Sequence, residues 1–117
     1  MPIPGAGGKI RSVLLSWPGI SAHPHQFGAT EYRLGKRQIG HVHGDHLVDI
    51  PFPRKIRDEL VATGRAKPHH IHPESGWISF YIRGENDVDA ALELMRLSFN
   101  HAQQQKSRQD REQGNSM

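Results

Sequence analysis

The chain reads as a single α+β domain. It predicts an antiparallel sheet, a three-stranded meander plus one or two further strands, with helices packed on one face in the order α-β-β-β-α-β-β-α. Three observations predict this. Apolar residues recur at helical spacing in three segments and at two-residue spacing in several short runs, and glycine-containing dipeptides join neighbouring runs as tight turns. At 117 residues the chain supports one modest core. Antiparallel hairpins with helices on one face leave the other face, or its rim, free for ligands.

The elements follow in order. Residues 1–8 hold two Pro and three Gly and are expected to form a flexible arm. Gly5-Ala6-Gly7-Gly8-Lys9 imitates a phosphate loop only loosely, because no strand precedes it. Residues 9–17 place Ile10, Val13, Leu14 and Trp17 on one helical face, and Pro18-Gly19 ends the helix. Residues 20–28 contain His23-Pro24-His25 and read as an extended connector, since the residue before proline avoids the helical region. The meander comprises residues 30–34, 38–43 and 47–50, with turns at Gly35-Lys36 and Gly44-Asp45. Pro51 and Pro53 break the sheet, and Pro53 suits a first helical position. Residues 54–63 form a helix with Ile56, Leu60 and Val61 inward, closed by Gly64. Residues 69–73 are extended, and 77–83 are the clearest strand, with Ile78, Phe80 and Ile82 opposite Trp77, Ser79 and Tyr81. The last helix opens with acids near Asp87 and buries Val88, Ala91, Leu92, Met95 and Phe99. The domain thus spans 9–102, and the glutamine-rich, charged residues 103–117 are expected to be a disordered tail.

Composition removes several function classes. Without cysteine there is no disulfide framework and no thiolate metal site. No apolar run approaches a membrane span, and no charged segment followed by an apolar core marks a secretory signal, so a cytoplasmic protein without membrane attachment is expected. The net charge of +3, spread along the chain, does not announce a nucleic-acid binder.

Six of the nine histidines fall into two clusters, His41/His43/His46 and His69/His70/His72. Imidazole is the commonest metal ligand and titrates near neutral pH. On a strand His41 and His43 share a face about 7 Å apart, as His70 and His72 do if that segment is extended. Adjacent strands would bring up to four imidazoles together, with Asp45, Asp49 and Glu74 as oxygen donors for Zn, Fe, Mn or Cu. No cofactor is required by the sequence; a metal, if bound, would take His41, His43, His70 and His72. The string His41-Val42-His43-Gly44-Asp45-His46 spells the H-x-H-x-D-H of two-zinc hydrolases, but that motif belongs to a fold about twice this length. A cupin would need a glutamate where Leu47 or Val48 stands. No serine sits in a nucleophile-elbow context. Trp77 and Tyr81 line one strand face and can stack a planar ligand.

A set of strings now acquires a common meaning: residues 17–28, Ile39-Gly40-His41-Val42-His43, residues 48–53, Pro68-His69-His70 and residues 75–80. In this order they resemble the luciferase-domain family of bacteria and fungi, over about residues 13–101. The resemblance implies relatedness to fungal luciferase, an oxygenase that acts on a hydroxylated pyrone without an established metal. It directs attention to His23, His25, His41, His43, Asp49, His69 and His70, and does not require His46. More weakly, residues 70–99 are similar to the YjbR-like family, small α+β proteins proposed to bind DNA. In that setting Arg33, Lys36, Arg37, Arg54, Lys55 and Arg57 would meet phosphates.

The leading expectation is a protein that binds a small planar or aromatic ligand in a His-lined cleft, with oxygen-dependent chemistry implied by the resemblance. His41, His43, His70 and Asp49 are the candidate catalytic residues, Asp49 fixing a ring tautomer. His23, His25, His69, Trp77 and Tyr81 are candidate ligand contacts. The alternatives are a non-catalytic DNA- or protein-binding module and a metal-binding protein using both His clusters.

Overall fold

A computed structural model describes residues 3–115, with side chains as far as residue 110. The alternation read from the strands settles into one six-stranded antiparallel sheet in the order β1-β2-β3-β4-β6-β5. The strands are β1 (Ile20–Pro24), β2 (Thr30–Leu34), β3 (Arg37–His43), β4 (Leu47–Pro51), β5 (Lys67–Pro68) and β6 (Trp77–Tyr81). The helices are α1 (Ala6–Leu15), α2 (Arg54–Ala62) and α3 (Glu85–Asn115). The fold is the α+β arrangement the sequence predicts.

Cross-strand register sorts the side chains into two faces. One row, Ala22, Tyr32, Gly40, Ile50 and Ile78, runs along the core face. The adjacent row, His23, Glu31, His41, Asp49 and Ser79, is polar throughout and lies on the opposite face. α3 covers the core face across β2, β3 and β4, with Val88, Ala91, Leu94, Met95, Phe99 and Ala102 buried; Leu92, expected in this stripe, is only partly buried. α1 adds Ala6, Ile10 and Leu14 at four-residue intervals. Gly40 permits the close approach of α3, because a Cβ there would lie 2.8 Å from Met95 Sδ and 3.0 Å from the Asp49 carbonyl oxygen.

A β-bulge interrupts β2–β3 pairing beside Tyr32 and Arg33, leaving the buried Ile39 as the extra residue. Ser98 of α3, itself buried, donates to the Ile39 carbonyl at 2.9 Å, which satisfies a group lost to the ladder.

Three expectations change. The connector at residues 20–28 supplies β1, because Ile20–Pro24 finds β2 as an antiparallel partner. The N-terminal arm is tied down from Ile3: its backbone N–H donates to the Asp45 carbonyl, and those of Gly5 and Gly7 donate to the Asp45 carboxylate. Asp45 therefore satisfies the open N-terminus of α1. Residues 103–115 continue α3, being rich in Gln, Lys, Arg and Glu, which are good helix formers. Residues 1–2 and 116–117, the ends of the arm and tail, lie outside the described residues. No described helix is long and apolar enough to cross a membrane.

Candidate functional site

The polar face carries a cleft of about 340 Å³, near the lower end of the roughly 300–1,000 Å³ common for small-molecule sites. Its floor comes from β3, β4 and β6. Its walls are the loop after β1 and the segment that follows β5. A wider groove of about 960 Å³ beside the distal part of α3 is lined by Gln103, Gln104, Lys106 and Arg108 and carries no histidine cluster.

Two groups of rings and acids meet in the cleft. In the first, His25 stacks on His41 with ring centroids 3.9 Å apart, and His41 lies 4.8 Å from Trp77. The His41 Nε2–H faces Gln38 Oε1 at 2.9 Å and Glu31 Oε1 at 3.2 Å. Glu31 is buried and also accepts the Arg33 guanidinium. Burial pushes Glu31 up, but Arg33 and His41 outweigh it, so the carboxyl sits below its ordinary value. Burial, and then the neighbouring His25, hold His41 below the usual imidazole value against the pull of Glu31.

The second group is built around Asp49, which is 1 % exposed. Its Oδ2 faces His43 Nε2 at 2.9 Å, His70 Nε2 at 3.0 Å and His69 Nε2 at 3.4 Å. Its Oδ1 accepts the Ser79 hydroxyl at 2.7 Å, and Ser79 Oγ in turn accepts the His70 backbone N–H at 3.1 Å. Burial raises the Asp49 pKa, yet the bonds from Ser79 and His70 and the nearby His69 and His70 rings carry it below the ordinary carboxylate value. His69 Nδ1 accepts the backbone N–H groups of Ile71 and His72, so its proton resides on Nε2. Burial first, against Asp49, holds His69 below the usual imidazole value.

Local structure explains how the second cluster arrives. β5 pairs with β6 for two residues, and the chain then folds back over β4. α2 holds this return: Arg57 donates to the Pro73 carbonyl and Arg54 to the Glu74 carbonyl. Both arginines also pair with Asp58.

The structure therefore brings together His25, His41, His43, Asp49, His69, His70 and Trp77. His72 reaches the rim and stacks on His69 at 5.6 Å. His23 bonds Ser21 and does not line the cleft, and Tyr81 lies between Lys67 and Arg83, away from it. His46 is exposed in the β3–β4 turn. The metal set His41, His43, His70 and His72 is divided: His41 groups with His25 and Glu31, while His43 and His70 group with Asp49.

Sequence reasoning missed Glu31, Ser79, Phe27 and Ile71. Glu31 left a faint signal as an acid inside a strand-like run. Phe27 is 99 % exposed and Ile71 65 % exposed, both on the rim of the cleft. Phe27 also holds the left-handed φ of 58°, uncommon for a residue with a side chain.

The comparisons with known proteins bear on family. Curated proteins and solved structures yield no match, and the likeness of residues 70–99 to the YjbR-like family gains no support. The family model described as "Luciferase domain" matches residues 36–98, a stretch that carries β3, β4, the Asp49 cluster and Trp77. With more than half of its length matched, the chain belongs to the Luciferase domain family.

Proposed function

We propose that this protein binds a small planar, hydroxylated aromatic or heteroaromatic ligand in the His-lined cleft. The observation that carries the reading is the division of one cleft into an aromatic wall, His25, His41 and Trp77, and a proton-handling group, Asp49 with His43 and His70. The wall offers ring faces for stacking, and Phe27 and Ile71 extend the apolar contact at the rim. With Nε2–H of His43 and His70 donated to Asp49, the basic nitrogen of each ring is Nδ1. A ligand hydroxyl would pass its proton to Nδ1, and the carboxylate would stabilise the imidazolium that forms. An oxygen-dependent reaction is what the resemblance to fungal luciferase implies, and the family match is its one support.

The test is quenching of Trp77 fluorescence by 4-hydroxy-2-pyrone, in a Trp17→Phe background. Saturable quenching that is lost in His41→Gln and His43→Gln variants of unchanged circular dichroism supports the reading. Quenching that is absent, or that survives both substitutions, overturns it. Of the six basic residues that the nucleic-acid alternative would use, Arg33, Arg37, Arg54 and Arg57 hydrogen-bond within the protein, which weighs against that reading at those four positions.

A further inference from the structure

Both acid–imidazole groups in the cleft have the composition of two histidines and one carboxylate, but their charge balance differs. Glu31 is met by the Arg33 guanidinium, whose positive charge opposes a cation at that group. Asp49 has no Arg or Lys partner among its described ion pairs; only imidazoles and the Ser79 hydroxyl face it. A carboxylate with 2 % side-chain exposure and no fixed cation is an unusual charge to leave inside a fold.

The three imidazoles around it are not equivalent. His69 uses Nδ1 as an acceptor for two backbone N–H groups, so its Nε2 is a donor and has no lone pair for a metal. No described hydrogen bond fixes the tautomer of His43 or His70 through Nδ1, so either ring can shift its proton there and expose the Nε2 lone pair; the base role proposed for Nδ1 then belongs to the metal-free protein. We infer that His43 Nε2, His70 Nε2 and Asp49 Oδ2 form a binding site for one divalent first-row transition metal.

The spacing fits. Two donors each about 2.1 Å from a metal and at right angles to one another stand about 3.0 Å apart. The carboxylate oxygen lies 2.9 Å and 3.0 Å from the two nitrogens, and the three atoms fall within 4.8 Å of one another. Outer contacts orient the donors: Ser79 holds the other carboxylate oxygen and the His70 backbone, and His69 Nε2 lies 3.4 Å from Asp49 Oδ2 as a charge neighbour. A two-nitrogen, one-oxygen set without sulfur suits Fe(II), Mn(II), Co(II) or Zn(II) better than calcium, magnesium or cuprous ion. Three protein donors leave positions open toward the cleft, where ligand oxygens would bind. The inference does not depend on the identity of the organic ligand, since the metal alone is the probe.

The experiment is titration of the chelator-treated full-length protein with Co(II), followed by visible absorption and by calorimetry, without any organic ligand. One equivalent is expected to bind, with the d–d bands of a nitrogen- and oxygen-ligated site. His43→Gln and His70→Gln, each checked for native circular dichroism, are expected to weaken binding on the order of 100-fold. His72→Gln and His41→Gln are expected to leave it within about threefold. Three results would each overturn the site: less than about a tenth of an equivalent bound, loss in His41→Gln with retention in His43→Gln, or equal loss in His72→Gln. The same cobalt titration cannot report on the heterocycle, so the two readings fail separately.

Discussion

Asp49→Asn is the substitution that most directly probes the site, because it keeps the shape of a buried group and removes its charge. Asp49 makes three hydrogen bonds, from Ser79 at 2.7 Å, His43 at 2.9 Å and His70 at 3.0 Å. An asparagine oxygen can keep the Ser79 bond, while its amide nitrogen meets His43 and His70 as a donor only if each ring moves its proton to Nδ1, and the charge that strengthened both contacts is gone in either case. Hydrogen bonds to a charged group contribute roughly 1.5–3 kcal/mol each. The His43 and His70 side chains are 23 % and 30 % exposed, so water relieves part of their loss. A net cost of about 3 kcal/mol follows, equivalent to a fall in Tm of about 12 °C for a domain of this size. The assay is urea denaturation near neutral pH, repeated in acid. Because the folded pKa of Asp49 lies below its unfolded value of 3.8, its contribution is present above 3.8 and is lost as pH falls through the folded value. The variant is expected to lack that part of the acid slope. Wild-type stability within about 0.5 kcal/mol, or an unchanged acid slope, would refute the reasoning and show the charge to be no net asset to the fold.

Three further predictions follow from other contacts. Gly40→Ala places a Cβ against Met95 Sδ and Cε at 2.8 and 2.9 Å, and is expected to cost about 1–3 kcal/mol in denaturant melts; a loss under about 0.5 kcal/mol would mean that α3 shifts freely. Burial keeps His41 and His69 below the imidazole value of 6.5, so folding favours their neutral forms. Stability is therefore highest above 6.5 and declines as pH falls through the folded values, and His69→Gln should flatten that decline; a rise in stability on acidification would contradict the sign. Arg57→Ala removes the bond to the Pro73 carbonyl and should speed hydrogen exchange across residues 69–76 while leaving α3 unchanged; unchanged exchange there would show that the return over β4 needs no anchor from α2.

Much of the fold was legible because it rests on local periodicity. Two-residue alternation in β2 and β6 and the four-residue spacing of Ile10 and Leu14 are properties of the chain alone. β1 was less legible, since His23-Pro24-His25 excludes helix without supplying the alternation that marks a strand. The basic residues misled for a related reason: sequence shows that Arg54 and Arg57 are charged, but not that they reach back to the loop carrying His69 and His70.

By itself the sequence determined the α+β class, the pairing of His41 with His43 on one side of a strand, and the concentration of imidazole in two segments. Only the tertiary structure decided which acids those imidazoles meet. A regular two-residue turn at Gly35-Lys36 would set Glu31 against Gly40 and place His41 opposite Thr30, on the core face. The bulge at Ile39 shifts the register by one, so that Glu31 faces His41 and both histidines turn to the polar side. That shift is held by packing and by Ser98, a residue 59 positions away in the chain. The meeting of His69 and His70 with Asp49 likewise depends on β5 pairing with β6 and on the anchors from α2. Periodicity records which side chains share a face within one strand; the offset between strands is a long-range packing outcome, and no local spacing encodes it.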